Sequence, residues 1–152
     1  MTFRKFLGVL ILVSSAFSAG CTQYYLQHNP ALAVAKAWNF SQYLFVQKDV
    51  ANAVRFVAEP ENPDASEFLE RMLGEMHPND AYPTSVSPIG YEIVPGQSRI
   101  NVYLVGKGDS FHSFYRIVLA GDANEYRVTE MYRADEMPPT SSLYKPISDP
   151  NP

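Results

Sequence analysis

Arg99-Ile100-Asn101-Val102-Tyr103-Leu104-Val105-Gly106, Phe111-His112-Ser113-Phe114-Tyr115-Arg116-Ile117-Val118-Leu119-Ala120 and Glu125-Tyr126-Arg127-Val128-Thr129-Glu130-Met131-Tyr132-Arg133 follow one another with short gaps. Each is rich in β-branched and aromatic residues and broadly alternates apolar with polar, the period of a strand whose faces differ. The gaps, Lys107-Gly108-Asp109-Ser110 and Gly121-Asp122-Ala123-Asn124, are short Gly-containing turns, so the runs are joined as hairpins. A further run, Thr84–Val94, precedes them across Pro95-Gly96-Gln97-Ser98. Pro88 and Gly90 interrupt it, which marks an edge or bulged strand. The expected product is a four-stranded antiparallel meander. On the second strand Ile100, Val102 and Leu104 share a face. On the fourth, strict alternation puts Tyr126, Val128, Glu130 and Tyr132 on one face.

Upstream of Pro78-Asn79-Asp80 the apolar period is helical instead. Asn29-Pro30 is a helix start, with Asn as cap and Pro at the first position. Ala31 to Val46 follows as a helix whose Val34, Trp38 and Phe45 lie on one side, widened by Ala37, Phe40 and Leu44. Gln47-Lys48 breaks it. Asp49 caps a second, short helix carrying Val50, Ala53, Val54 and Val57. Glu59-Pro60-Glu61-Asn62-Pro63 is a loop, because proline removes the helical hydrogen bond and restricts the residue before it. Asp64-Ala65-Ser66-Glu67 resembles a capping box ahead of a third helix with Phe68, Leu69, Met72, Leu73 and Met76 as its stripe. Helices first and strands after give an α+β domain, three helices on one face of a curved four-stranded meander. It spans residues 30–133. Residues 134–152 contain five prolines and no apolar period, and are read as a disordered tail.

The first residues carry a different message. Arg4 and Lys5 precede an apolar run, Phe6 to Val13, and then small residues up to Gly20. This is the layout of an export signal, residues 1–20, too short to span a bilayer and expected to be removed. The lone cysteine, Cys21, ends it. Ser18-Ala19-Gly20-Cys21 resembles a lipobox of bacterial lipoproteins. That resemblance implies acylation at Cys21, residues 21–29 as a lipidated tether, and attachment to a membrane through acyl chains. Two chains hold stably, at about 0.8 kcal/mol per buried methylene. In the enterobacterial pattern Asp after the cysteine retains the protein in the inner membrane; Thr22 stands here, which implies the periplasmic face of the outer membrane.

The full chain has 152 residues, and a length of that order suits one domain. Loss of the leader takes Arg4 and Lys5 and no acidic residue. Of the 12 Lys and Arg, ten remain against 16 Asp and Glu, a net charge of −6. That balance argues against nucleic acid, whose binding needs basic patches. One cysteine allows no internal disulfide, so the fold rests on packing.

The helix-then-meander order resembles cone-like cystatin folds and the nuclear-transport-factor-2-like superfamily. The residues that carry it are Ala33 to Val46, the break Lys48-Asp49-Val50-Ala51-Asn52-Ala53, and the strands Phe111–Leu119 and Tyr126–Tyr132. That superfamily often inserts a strand among its helices; none is evident between Val57 and Asp64.

His28, His77 and His112 have no further ligand at metal spacing, so no metal is expected. There is no Gly-x-Ser-x-Gly, phosphate loop or dinucleotide fingerprint, and no cofactor is expected. Relatives resembling ketosteroid isomerase transfer protons with a buried carboxylate, which singles out Glu130 as a catalytic candidate. Trp38, Tyr103, Tyr115, Tyr126 and Tyr132 would then line a ligand pocket. A carboxyl group in such a wall can act as a base. If the alternation slips by one residue, Glu130 is instead solvated beside Arg116 or Arg127. The leading functional expectation is a non-enzymatic, lipid-anchored accessory component of an envelope assembly with a protein partner. The alternative is a small-molecule binder or acid/base enzyme using the cone.

Overall fold

A computed structural model of the chain describes residues 28–148. The leader, Cys21 and residues 149–152 lie outside the described residues. Helix α1 (Pro30–Ser41) starts where its cap predicts: Asn29 Oδ1 accepts from the Leu32 amide at 3.1 Å. It runs into a π turn (Gln42–Val46), where the Gln47 amide donates to Gln42 O at 2.9 Å. The wide face expected for this helix buries Ala33, Val34, Ala37, Phe40, Ser41, Leu44 and Phe45. Lys48 turns the chain with φ 55. Asp49 then caps α2 (Val50–Ala53), accepting from the Asn52 amide at 3.0 Å and the Asn52 side chain at 2.6 Å. Those same bonds hold the Asp49 carboxyl below its ordinary pKa, the side-chain bond contributing most.

Helix α3 (Asp64–Met76) begins differently from expectation. Asp64 lies inside the helix, and Asn62 takes the capping role: its Oδ1 accepts from the Asp64 amide at 3.0 Å. Pro63 sits between them without a side chain that can cap. Asp64 and Glu67 stay in the first turn, where a negative charge suits the helix dipole.

The sheet has five antiparallel strands in the order β4-β3-β2-β1-β5. They are β1 (Ser85–Ile93), β2 (Arg99–Lys107), β3 (His112–Gly121), β4 (Tyr126–Ala134) and β5 (Lys145–Pro146). The first four are the expected hairpin meander. Gly121 has φ +149, and a Cβ there would stand 1.9 Å from Glu125 O, so the last turn needs glycine. β1 is bulged between Pro88 and Gly90. The fifth strand corrects the sequence-based count. Residues read as a tail turn back, and Lys145–Pro146 pairs with Gly90 and Tyr91 of β1. Tyr144 is the anchor: its hydroxyl donates to Ile89 O at 2.9 Å, and its ring lies where a Cβ on residue 90 would be. Only glycine at 90 leaves that space.

The helices cover one face of the sheet. Ile100, Val102 and Leu104 of β2 point into it with Tyr115, Ile117 and Leu119 of β3, all fully buried against Phe40, Leu44 and Phe45. The expected grouping of Ile100, Val102 and Leu104 therefore holds. The expected grouping on β4 does not. Val118 pairs with Glu130 and Leu119 with Val128, leaving Thr129 as an extra residue. That bulge reverses which side each later side chain faces. Tyr126 and Val128 point inward before it and Met131 after it, while Glu130 and Tyr132 point out.

Candidate functional site

The six side chains singled out from the sequence fall into three places. Tyr115 and Tyr126 are core residues on the helix-covered face. Trp38 lies beside β1, where its indole N–H donates to Val86 O at 3.0 Å. Tyr103, Glu130 and Tyr132 lie on the opposite, outer face. No single cavity gathers them, because the space between helices and sheet is occupied by Phe40, Leu44, Phe45 and the inward strand residues.

Tyr115 belongs to a buried polar pair. Its hydroxyl lies 2.8 Å from His77 Nε2, and His77 Nδ1 lies 2.9 Å from Leu73 O. A carbonyl only accepts, so the neutral ring carries its proton on Nδ1 and Nε2 accepts from Tyr115. Phe45 stacks on Tyr115 at 4.5 Å and Tyr82 on His77 at 4.9 Å. Burial pulls the His77 pKa below its ordinary value; the Leu73 bond opposes this and the Arg133 and Lys48 charges add to it. Burial likewise pushes the Tyr115 phenol up. Both groups are therefore uncharged and fully bonded near neutral pH. They tie the end of α3 to β3.

Tyr126 docks the start of the described chain. His28 Nδ1 lies 3.1 Å from its hydroxyl, and the Asn29 amide donates to the same oxygen at 2.9 Å. His28 Nε2 donates to Gln97 O at 3.1 Å. His28, His77 and His112 do not converge, and among the described residues no group of three or more His, Cys, Asp or Glu side chains is placed to hold a metal ion.

On the outer face Glu130 is engaged on both oxygens. Arg99 approaches one at 3.2 Å and the Tyr132 hydroxyl the other at 2.5 Å. Its side chain is 37% exposed. The sequence named Arg116 or Arg127 as its partner on that face; the register gives it Arg99 instead. Arg116 stacks its guanidinium over the Tyr132 ring at 4.3 Å. Farther along, Tyr103 donates to Glu92 at 2.9 Å, and burial followed by that carboxylate pushes its phenol up to about 12. A carboxylate holding an arginine and a phenol in water is a surface network, without the dry wall that a general base needs.

The surface feature that the sequence did not single out is a groove of about 900 Å³ between α3 and β4, lined also by Val57, Ala58, Glu59 and Asn62 ahead of α3. Phe40, Leu69, Val128 and Met131 form its floor, and Phe68, Met72 and Tyr132 its walls. Phe68 at 47% and Tyr132 at 43% exposure are two of the three large apolar side chains left exposed among the described residues. The sequence did contain a trace of this. The α3 stripe includes residues 68, 69, 72, 73 and 76, wider than one contact needs. Leu69, Leu73 and Met76 fill the core, and Phe68 and Met72 are left over at the groove.

Comparison of the chain with protein-family models, with curated proteins and with solved structures finds no match. Among the described residues no helix is long and apolar enough to cross a membrane.

Proposed function

We propose that this protein is a lipid-anchored binding module of the bacterial envelope, held at the periplasmic face of the outer membrane through acyl chains on Cys21, and that it engages a protein partner instead of turning over a substrate. One observation carries the choice between binding and catalysis. The interior that a cone-fold enzyme would keep open is filled by aromatic and aliphatic side chains, while exposed apolar surface is concentrated at the α3–β4 groove. Glu130 lies on the outer face with Arg99 and Tyr132, away from any enclosed wall.

The fold is of the cone-like, nuclear-transport-factor-2-like kind in this proposal. Helices ahead of an antiparallel sheet support it. So does the parallel bridge between Val57 and Val128, which sits where that superfamily often inserts a strand among its helices. The anchor rests on the leader, Arg4 to Cys21.

Two experiments test the proposal. Cys21→Ser should leave an uncleaved or soluble protein in fractionated cells. Normal processing and unchanged membrane recovery would refute the anchor. A photo-crosslinking residue in place of Phe68 should capture a partner protein in living cells, and a complete lack of adducts would refute the binding role.

A further inference from the structure

β4 is the end strand of the sheet. On its outer side Val57 bridges Val128 in parallel, and the Ala58 amide donates to Val128 O at 3.1 Å. Arg127 secures that segment by donating to Arg55 O at 2.6 Å. Beyond Val128, residues 130–134 pair with β3 on one side, and on the opposite edge no strand lies beside them among the described residues. An edge strand presents unpaired backbone N–H and C=O groups that another strand can complete. The groove runs along this stretch, with Met131, Phe68 and Met72 providing apolar contact.

The rim is one-sided in charge. Glu59, Asp64 and Glu67 line it, with Glu130 already paired to Arg99, against the single lining cation Arg71, which lies over the Phe68 ring at 5.5 Å. We propose that the groove receives an extended, basic segment of another protein, added as a strand beside β4. Its apolar side chains enter the groove, and its alternate Lys or Arg side chains meet the rim carboxylates. This rests on the binding role proposed above and specifies the partner's chemistry. A helix would leave the backbone groups of β4 unpaired. A second copy of this chain would bring one acidic rim against another, on a chain whose net charge is already −4.

The test uses the full chain in detergent micelles and labelled short peptides, read by fluorescence anisotropy. The probes are an alternating lysine–valine peptide, its glutamate–valine counterpart, and a lysine–valine peptide N-methylated along one edge. The first should bind at least about tenfold more tightly than either of the others. Glu67→Lys, an exposed change that leaves the core intact, should weaken it by about tenfold, and Glu136→Lys, outside the groove, should leave it unchanged. Equal binding of the methylated peptide removes strand addition, and equal binding of the glutamate peptide removes the charge preference; either overturns the proposal. Dimerisation of the chain that blocks all three peptides also overturns it. Mapping the adducts formed from position 68 in cells separates the two levels. A partner captured through an acidic or helical segment overturns this inference and leaves the binding role standing, whereas no adduct removes both.

Discussion

Glu92 fastens the returning chain to the sheet, and its replacement by glutamine should loosen that chain measurably. The Glu92 side chain is buried on the outer face of β1. One oxygen accepts from the Ser141 amide at 2.6 Å and the other from the Tyr103 hydroxyl at 2.9 Å. Burial alone would raise its pKa, but the bonds from Ser141, Tyr103 and Asn101 outweigh it, so the carboxyl titrates below its ordinary value. Hydrogen bonds to a charged group contribute about 1.5–3 kcal/mol each, against roughly 1 for neutral ones. Glutamine keeps one acceptor and turns an N–H₂ toward the other donor. The loss is therefore about 2 kcal/mol, or roughly a 30-fold rise in local opening. The other fastenings of this segment are Tyr144 to Ile89 O at 2.9 Å and the Ile147 amide to the same oxygen at 3.0 Å. Hydrogen exchange at the Ser141 and Ile147 amides should accelerate by that order in Glu92→Gln, with the β2 and β3 amides unchanged. The pH dependence has a definite sign. A folded pKa below the unfolded value of about 4.3 gives stability that is full above that pH and is lost as pH falls through the folded value. Wild-type protection at these amides should fall on acidification below about pH 4, and the glutamine variant should show no such step. Equal exchange at Ser141 and Ile147 in both proteins would refute the assignment of Glu92 as the fastening.

Further outcomes follow from the same geometry. Gly90→Ala places a Cβ 2.3 Å from the Tyr144 ring, so that ring must move, and exchange at Ile147 should rise as in Glu92→Gln with little change in thermal midpoint of the sheet. His77→Phe leaves the buried Tyr115 hydroxyl and Leu73 carbonyl unpaired and should cost about 2–4 kcal/mol in urea unfolding. Because the folded His77 pKa lies below the ordinary value, the unfolded chain takes up the proton first. Stability should therefore decline as pH falls through about 6.5 toward the folded value, and His77→Gln should flatten that slope in thermal melts. Arg99→Ala removes an exposed pair with Glu130 and should change stability by less than about 1 kcal/mol in the same assay.

The sequence by itself determined the order of elements. Asn29 and Asp49 mark helix starts through bonds to the amides three positions away, Pro30 does so through its fixed φ, and the Gly-containing turns set the hairpins. These features depend on near neighbours, so a linear reading finds them. It also determined the inward face of β2, since Ile100, Val102 and Leu104 alternate without interruption. What only the tertiary structure decided was set by partners far along the chain. Thr129 becomes a bulge through its fit against Val118 and Leu119, with Val57 bridged to Val128, and that one extra residue turns Glu130 and Tyr132 from the inner face to the outer. The segment after Ala134 looks unstructured by composition, yet Gly90, Glu92 and Ile89 supply docking points that its own residues do not reveal. Phe68 and Met72 belong to a helical stripe in sequence; they line a groove because Leu69, Leu73 and Met76 take the buried side of the helix, leaving Met72 half-buried at the core's edge and Phe68 exposed. Periodicity records which residues share a face, and only the packed fold decides what that face meets.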